Sequence, residues 1–276
     1  MTHELSARLR SHRWQDVEAA LAEAVEHPDG DRIIAEYVLS GTRSERLLAT
    51  ALLGDLKGAN GTAALRQLVY ATGPGSRDLR CASLIALAKR CGEAASADLA
   101  AALSDRDGTV KDYAIMGLAG AGDGRAWDLV FKRLQLLLRR PSRVMVASEV
   151  VAVAYLVQHN RGDRERLGVL VEALRSSWDR MNGEEARWFT EFWPEVLPGG
   201  PLATDVPWPD RKRIRDWVRD LLFYPVPIPV MSAGAAEAAT DKEVPCVVGT
   251  TPTSDDRYRR PGGIPTARRP GGTATR

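Results

Sequence analysis

The stretch that decides the fold is residues 105–141, which read DRDGTVKDYAIMGLAGAGDGRAWDLVFKRLQLLLRRP. It opens on an Asp-Arg-Asp turn whose side chains are good helix caps. Apolar residues then recur at helical spacing in two runs, Val110–Leu118 and Arg125 to about Arg139. The segment Gly120–Gly124 predicts a turn between the runs, and Pro141 is expected to end the second helix. The stretch therefore predicts a short pair of helices.

The same plan recurs upstream at a regular step. Leu79 and Leu87 each lie 31 residues before their counterparts Val110 and Leu118. One repeat earlier, Leu53 precedes Leu87 by 34 residues. A repeat period of this size is typical of solenoids, in which each helix pair buries its apolar stripe against the next.

The repeated positions resemble a known family. The residues that carry the resemblance are Val110-Lys111, Ala114, Leu118, Gly122-Asp123 and Arg125-Ala126. They resemble the short bacterial type of HEAT repeat, with a second copy at Leu79-Arg80 and Ala86-Leu87 and a weaker third at Ala51–Gly58. The resemblance is strongest over 44–140 and extends through 142–160 and 163–181 as a fourth pair. The copy at 51–58 lacks the Val-Arg pair, and the fourth lacks the Gly-Asp turn.

The resemblance implies an all-α fold, an α-solenoid of HEAT-like antiparallel helix pairs with irregular caps and a disordered C-terminal tail. Residues 1–43 are expected to form N-terminal cap helices at Trp14–Glu26 and Asp31–Leu39, 44–181 the repeats and 182–224 an aromatic-rich C-terminal cap. Residues 225–276 hold eight Pro and six Gly and show no apolar period. Such a segment cannot bury enough surface to offset its ordering entropy, so we expect it to be disordered.

Charge and cysteine usage restrict the class of protein. Residues 1–224 hold 31 basic and 31 acidic side chains, and the excess positive charge lies in the Arg-containing tail. Cys81 and Cys91 are ten residues apart on one predicted helix, about 15 Å along its axis, which is too far for a disulfide. The N-terminus is polar, and no run of about 18 apolar residues occurs. These features predict a cytoplasmic protein with reduced thiols and no membrane partner.

The sequence offers no constellation that fixes a reaction. The four histidines have no partners at metal-ligand spacing, no glycine-rich loop follows a strand, and no Gly-x-Ser-x-Gly elbow is present. Glu184 and Glu185 stand at a predicted helix start, where the helix dipole stabilises acids. We therefore predict no catalytic, metal-binding or cofactor-binding residue, and no cofactor. Whether the protein is an enzyme stays uncertain, with a non-enzymatic role favoured.

Two groups of side chains are candidates for binding. Trp188, Phe189, Phe192 and Trp193 fall on one predicted helix, where they either seal the core or form an exposed patch that docks a partner. A predicted last helix, Asp210–Tyr224, separates an apolar stripe from a basic face. A second basic cluster surrounds the Pro141 turn and consists of Lys132, Arg133, Arg139, Arg140 and Arg143.

In the predicted solenoid, the second helix of each pair is expected to line the concave face. These second helices include Arg125–Arg139 and Asp163–Arg180. The candidate partner-binding residues are Arg175, Trp178, Arg180, Lys212, Arg215 and Arg219. The favoured function is a non-enzymatic protein-interaction or scaffold module that binds a protein partner on the concave solenoid surface. A related possibility is a structural or regulatory subunit whose tail makes the contact.

The alternative is a nucleic-acid-binding protein or a DNA glycosylase-like enzyme on a HEAT-like scaffold. Such an enzyme needs an electropositive channel, aromatic side chains and a nearby carboxylate. Trp178, Asp179 and Arg180 supply those residue types. The neutral charge of residues 1–224 argues against it, although the basic clusters and the Arg-containing tail keep nucleic acid open as a partner.

Overall fold

Helices are the only regular secondary structure in the residues that the computed structural model describes, which are 2–40, 43–73, 75–139, 148–160 and 162–222. No strand occurs in these ranges, which confirms the all-α prediction. The helices are α1 (Thr2–Arg8), α2 (Trp14–Glu26), α3 (Gly30–Ser40), α4 (Arg43–Asp55), α5 (Ala59–Val69), α6 (Ser76–Cys91), α7 (Ser96–Ala102), α8 (Gly108–Ala121), α9 (Trp127–Arg139), α10 (Ser148–His159), α11 (Arg164–Arg175), α12 (Gly183–Phe192) and α13 (Arg211–Leu222). Short 3₁₀ turns cover Gly92–Ala95, Gly124–Ala126, Trp178–Arg180 and Pro194–Val196.

The helix ends follow from local side-chain chemistry. Asp107 caps α8, because its carboxylate accepts a hydrogen bond from the Thr109 N–H at 2.8 Å. The predicted turn at 120–124 is shorter than expected. The helix continues through Ala121, and the chain turns only at Gly122 and Asp123. Asp123 then accepts from the Arg125 N–H at 2.9 Å and opens the 3₁₀ turn that leads into α9.

The helices stack in pairs. Helices α4, α6, α8 and α10 lie side by side, each packed against the next. Helix α5 packs against α6, α7 against α8, and α9 against α10, so the second helix of each pair covers the junction with the following pair. The eight residues Val150–Val157 of α10 are all buried, since neighbouring helices surround that helix. One continuous hydrophobic core results.

Small residues allow the first helices to approach closely. A Cβ placed on Gly54 of α4 would lie 3.1 Å from the Ala86 Cα of α6. That spacing is tighter than ordinary van der Waals contact, so glycine at 54 is required by the packing of α4 on α6.

The C-terminal helix folds back onto the middle of the molecule. Helix α13 packs against both α8 and α10 and buries Ile214, Val218 and Leu222. Its start is fixed by Arg211, which donates to the Asn160 carbonyl at 2.7 Å. The sequence predicted the apolar stripe of this helix but not its position over two earlier pairs.

The N-terminal end contains a helix that the sequence did not predict. Helix α1 precedes the expected pair α2 and α3, and the segment of α1 and the turn after it buries Leu5 and Leu9. The expected tail, 225–276, and two members of the basic cluster, Arg140 and Arg143, lie outside the described residues.

Candidate functional site

Helix α9 presents a regular stripe of exposed side chains. Leu129 and Leu136 are 52% and 50% exposed, although their neighbours Val130 and Leu134 are fully buried. Lys132 and Arg139, also exposed, follow the two leucines at the same three-residue spacing. At helical geometry these four residues lie on one face. Apolar and cationic groups therefore alternate along α9.

Helix α11, which packs against α9, also exposes an apolar side chain. Val169 is 48% exposed and lies between the exposed acids Glu165 and Glu172. Arg166 joins the two helices, since its guanidinium lies 3.2 Å from the Asp128 carboxylate and 4.5 Å from the centre of the Trp127 ring. We call the exposed residues Leu129, Lys132, Leu136, Arg139 and Val169 the α9–α11 surface.

A similar exposure occurs on an earlier second helix. Tyr70, which caps the end of α5, is 65% exposed. Arg66 of α5 pairs with Asp98 of α7 at 2.9 Å, much as Arg166 pairs with Asp128. Exposed large apolar side chains and bridging ion pairs thus occur on second helices in two parts of the chain.

Only part of the predicted basic cluster around Pro141 is exposed to solvent among the described residues. Arg133 turns inward, where its Nη2 donates to Asp112 Oδ1 at 2.8 Å and its Nε donates to the same oxygen at 3.0 Å. Burial raises the pKa of the Asp112 carboxyl, and the Arg133 charge opposes that shift. Lys132 and Arg139 remain the exposed cations of this cluster among the described residues.

The first three candidate partner-binding residues have different surroundings. Arg175 is half-buried and donates to the carbonyls of Glu195, Val196 and Pro201 at 3.0, 3.1 and 2.6 Å. It therefore holds the loop that follows α12. Trp178 is half-buried against Phe189, with ring centres 5.8 Å apart. Arg180 is exposed and donates to Ser177 Oγ at 3.0 Å.

The other three candidates lie together on the exposed side of α13. Lys212 and Arg219 both pair with Asp216, at 2.8 and 3.5 Å, and Arg215 is exposed between them. Asp216 neutralises part of this basic face. The interaction also lowers the pKa of the Asp216 carboxyl, chiefly through the Lys212 hydrogen bond.

The aromatic group lies between these two sets of residues. Trp188 stacks on Phe192 at 5.0 Å and contacts Trp217 of α13 at 5.3 Å. Phe189 and Trp193 are fully buried, and Trp188 is 7% exposed. Of the two interpretations left open by the sequence, the structure favours the sealed core, because three of the four predicted residues are inaccessible.

A buried pair of carboxyl groups lies beneath the same helix. Glu149 of α10 and Glu185 of α12 are 1% and 3% exposed, and their side chains are hydrogen-bonded to each other. Glu185 also accepts from the Asn182 N–H at 3.0 Å in a capping box. Burial and the neighbouring Glu149 raise the pKa of the Glu185 carboxyl to about 7.

The space beside this pair is too small for a substrate. The adjoining cavity has a volume of about 10 Å³, and its lining includes both carboxyl groups, Ser177 and Arg180. A cavity of that size holds roughly one water molecule. The arrangement can share or exchange a proton, but it offers no room for a reacting molecule.

Three further findings concern metal ions, membranes and a groove. In the described ranges no group of three or more His, Cys, Asp or Glu side chains is placed to hold a metal ion. No helix in the described part of the chain combines the length and apolar character needed to cross a membrane. A groove of about 270 Å³ opens between α4, α6 and α8, where Cys81 and Tyr113 are among its lining residues.

The sequence indicated Glu185 as a helix-start acid but missed its pairing. Glu149 precedes it by 36 residues and shows no local signal of its own. The α9–α11 surface could have been found from the residues of α9, because Leu129 and Leu136 break the apolar stripe that Val130, Leu134 and Leu137 define.

Comparison with known proteins does not identify a family. No family model matches the chain, and no curated protein matches it. Among solved structures, the crystal structure of an engineered protein from a structural genomics consortium aligns with 79% of this chain and 96% of its own, at 14% identity and a TM-score of 0.40.

Proposed function

We propose that the protein is a non-enzymatic interaction module that binds a protein partner on the α9–α11 surface. The single observation that carries this proposal is the exposure of Leu129, Leu136 and Val169 on neighbouring second helices. Exposed apolar side chains are common singly, whereas a group flanked by charged residues is typical of a docking surface.

The chemistry of the surface restricts the partner. Leu136 lies between the cations Lys132 and Arg139, and Val169 lies between two acids. A segment that presents apolar side chains toward α9, flanked by carboxylates, would match the α9 stripe in both shape and charge. The apolar contacts are expected to supply most of the affinity, and the charges to set orientation and association rate.

Support for a binding role also comes from the resemblance to HEAT repeats, whose stacked helix pairs present extended surfaces to partners. The assignment to that family, the solenoid form and a cytoplasmic location all stay predictions. The nucleic-acid alternative is weakened because Arg133 is committed to Asp112 and because Asp216 neutralises part of the basic face of α13. A catalytic alternative has no cavity at the buried carboxyl pair that could admit a substrate.

The test uses three full-length proteins as baits in the native host, each with and without nuclease. They are the unchanged protein, a double variant of the α9–α11 surface and a control variant. Leu129→Glu/Leu136→Glu changes the α9–α11 surface at two exposed positions. Leu221→Glu is the matched control, since Leu221 is 49% exposed on α13 and lies outside that surface. Circular dichroism establishes that all three proteins are folded.

We expect a stoichiometric protein partner that survives nuclease, binds the Leu221→Glu protein normally and is lost by the double variant. Recovery that disappears with nuclease would replace this proposal with nucleic-acid binding. Equal binding by all three baits would reject the α9–α11 surface as the docking site.

A further inference from the structure

The Glu149–Glu185 contact requires a proton between the two side chains. Ionised carboxylates carry only acceptor atoms, so two of them cannot form a hydrogen bond with each other. Their side chains are nevertheless hydrogen-bonded, line the same cavity of about 10 Å³ and are almost completely removed from water. One of the two carboxyl groups must therefore be protonated in this arrangement.

The charged neighbours do not supply a cation for Glu185. Among the described residues, the hydrogen bonds of its carboxyl come from the backbone N–H and the side chain of Asn182 and from Glu149. Arg133 of α9, a partly buried cation, is committed to Asp112 of α8. Arg180 lines the cavity but donates to Ser177, and Glu184 on the same helix as Glu185 is exposed.

The remaining element near this region is α13, which contributes aromatic packing. It presents Trp217 to Trp188 and Phe192, while Lys212, Arg215 and Arg219 are exposed. Asp112, which lies near Glu149, is paired with Arg133, so this ion pair brings no net positive charge to the two carboxyl groups. The local charges therefore favour the shared proton.

The two helices that carry the pair are held unequally. Helix α10 packs against α8, α9, α12 and α13. Helix α12 packs against α10 and the 3₁₀ turn Pro194–Val196, and it contacts α13 through Trp217 and Arg213. Repulsion between Glu149 and Glu185 is therefore expected to displace α12, the element with fewer neighbours.

We propose that Glu149 and Glu185 form a shared-proton latch that holds α12 against α10, and that loss of this proton releases α12. In the protonated state the two carboxyl groups attract each other across the helix interface. In the ionised state two buried negative charges repel each other with little room for water. Release would expose the aromatic side chains of α12, including Trp188 and Phe189.

The experiment follows backbone amide exchange of residues 183–192 in the full chain between pH 5.5 and 8.5, corrected for intrinsic exchange, together with tryptophan fluorescence. In the unchanged protein we expect both signals to follow one transition near pH 7, with exchange faster by about tenfold or more on the alkaline side. Glu185→Gln should remove the transition, because its amide group can donate to Glu149 without a titrating proton.

The matched control is Glu184→Gln, which changes the exposed acid beside Glu185 and should keep the transition unchanged. If Glu185→Gln fails to fold, Glu149→Gln replaces it. Infrared absorption of the unchanged protein offers a readout free of mutation, since the band of a protonated carboxyl should disappear over the same pH range. A flat exchange profile, a transition retained in both glutamine variants of the pair, or no protonated carboxyl band at pH 5.5 would overturn the proposal.

Discussion

The guanidinium of Arg90 and the carboxylate of Asp31, 59 residues apart in the chain, form an ion pair at the junction of α3, α5 and α6. The side chains of Arg90 and Asp31 are 3% and 12% exposed. Arg90 also donates to Thr62 Oγ1 and to the carbonyls of Leu53 and Gly58. One buried side chain thus ties the N-terminal helices to the helix pairs that follow.

The first prediction concerns this pair. Arg90→Met keeps the aliphatic stem but removes the cation from the buried Asp31 carboxylate, which keeps the Gly61 N–H as a donor, and removes one donor from each of the Leu53 and Gly58 carbonyl groups. We expect the free energy of unfolding to fall by about 3–5 kcal/mol, the usual cost of removing one partner of a buried pair. Urea denaturation measures it. The control Arg32→Met removes an exposed arginine of α3, next to Asp31, and should leave the urea midpoint unchanged. Equal midpoints for the two variants would contradict the structural role of Arg90.

The second prediction concerns the close approach of α4 and α6. Gly54→Ala gains about 1 kcal/mol of helix propensity but places a Cβ 3.1 Å from the backbone of Ala86. A helix backbone cannot move aside as the tip of a side chain can. The strain of overpacking should therefore exceed the gain in helix propensity, and Gly54→Ala should lower the free energy of unfolding by about 1–2 kcal/mol. Gly183→Ala is the matched control, since no atom lies within 4 Å of its added Cβ. Thermal denaturation that shows Gly54→Ala to be as stable as Gly183→Ala would reject this packing argument.

Local features of the fold could be predicted from the sequence, because capping and periodicity act over a few residues. Helix α2 has the bounds Trp14–Glu26 that its apolar spacing indicated, and the Asp107 cap was anticipated. The end of α8 was misplaced, since glycine content suggested a turn at Gly120 whereas α8 continues to Ala121.

Contacts between distant parts of the chain could not be predicted in this way. Glu149 and Glu185 meet only after α10 and α12 pack, and neither residue carries a local signal of burial. The position of α13 over α8 and α10 likewise depends on how the apolar stripes match in three dimensions. The candidate residues were chosen by type and predicted face, which could not separate Arg175, used within the fold, from the exposed Arg180.

The third prediction follows from that difference. Arg175→Ala removes three hydrogen bonds to carbonyl groups of the loop after α12 and should lower the free energy of unfolding by about 2 kcal/mol. Arg180→Ala removes an exposed side chain and should cost less than about 0.5 kcal/mol. Urea denaturation of both variants, with limited proteolysis of the loop, distinguishes them. If both variants are equally stable, Arg175 does not anchor the loop.

The fourth prediction concerns the two described cysteines, both of which are free thiols. Burial raises the pKa of the Cys81 thiol to about 12, whereas Cys91 is half-buried. At pH 8 the reactive thiolate is then roughly one part in 10⁴ at Cys81, so an aromatic disulfide reagent should modify Cys91 first. We expect Cys81 to react only as fast as the structure opens.

A Cys246→Ser background removes the third cysteine, and Cys91→Ser in that background isolates Cys81. Because the raised pKa exists only in the folded state, both thiols should react at similar rates in urea. Because opening of the fold limits the reaction of Cys81, raising the pH from 7 to 9 should speed its modification far less than the roughly hundredfold rise in folded-state thiolate that a pKa of about 12 gives, provided that the protein stays folded. Rapid modification of the folded Cys91→Ser protein at pH 8 would show that Cys81 is accessible through the groove between α4, α6 and α8.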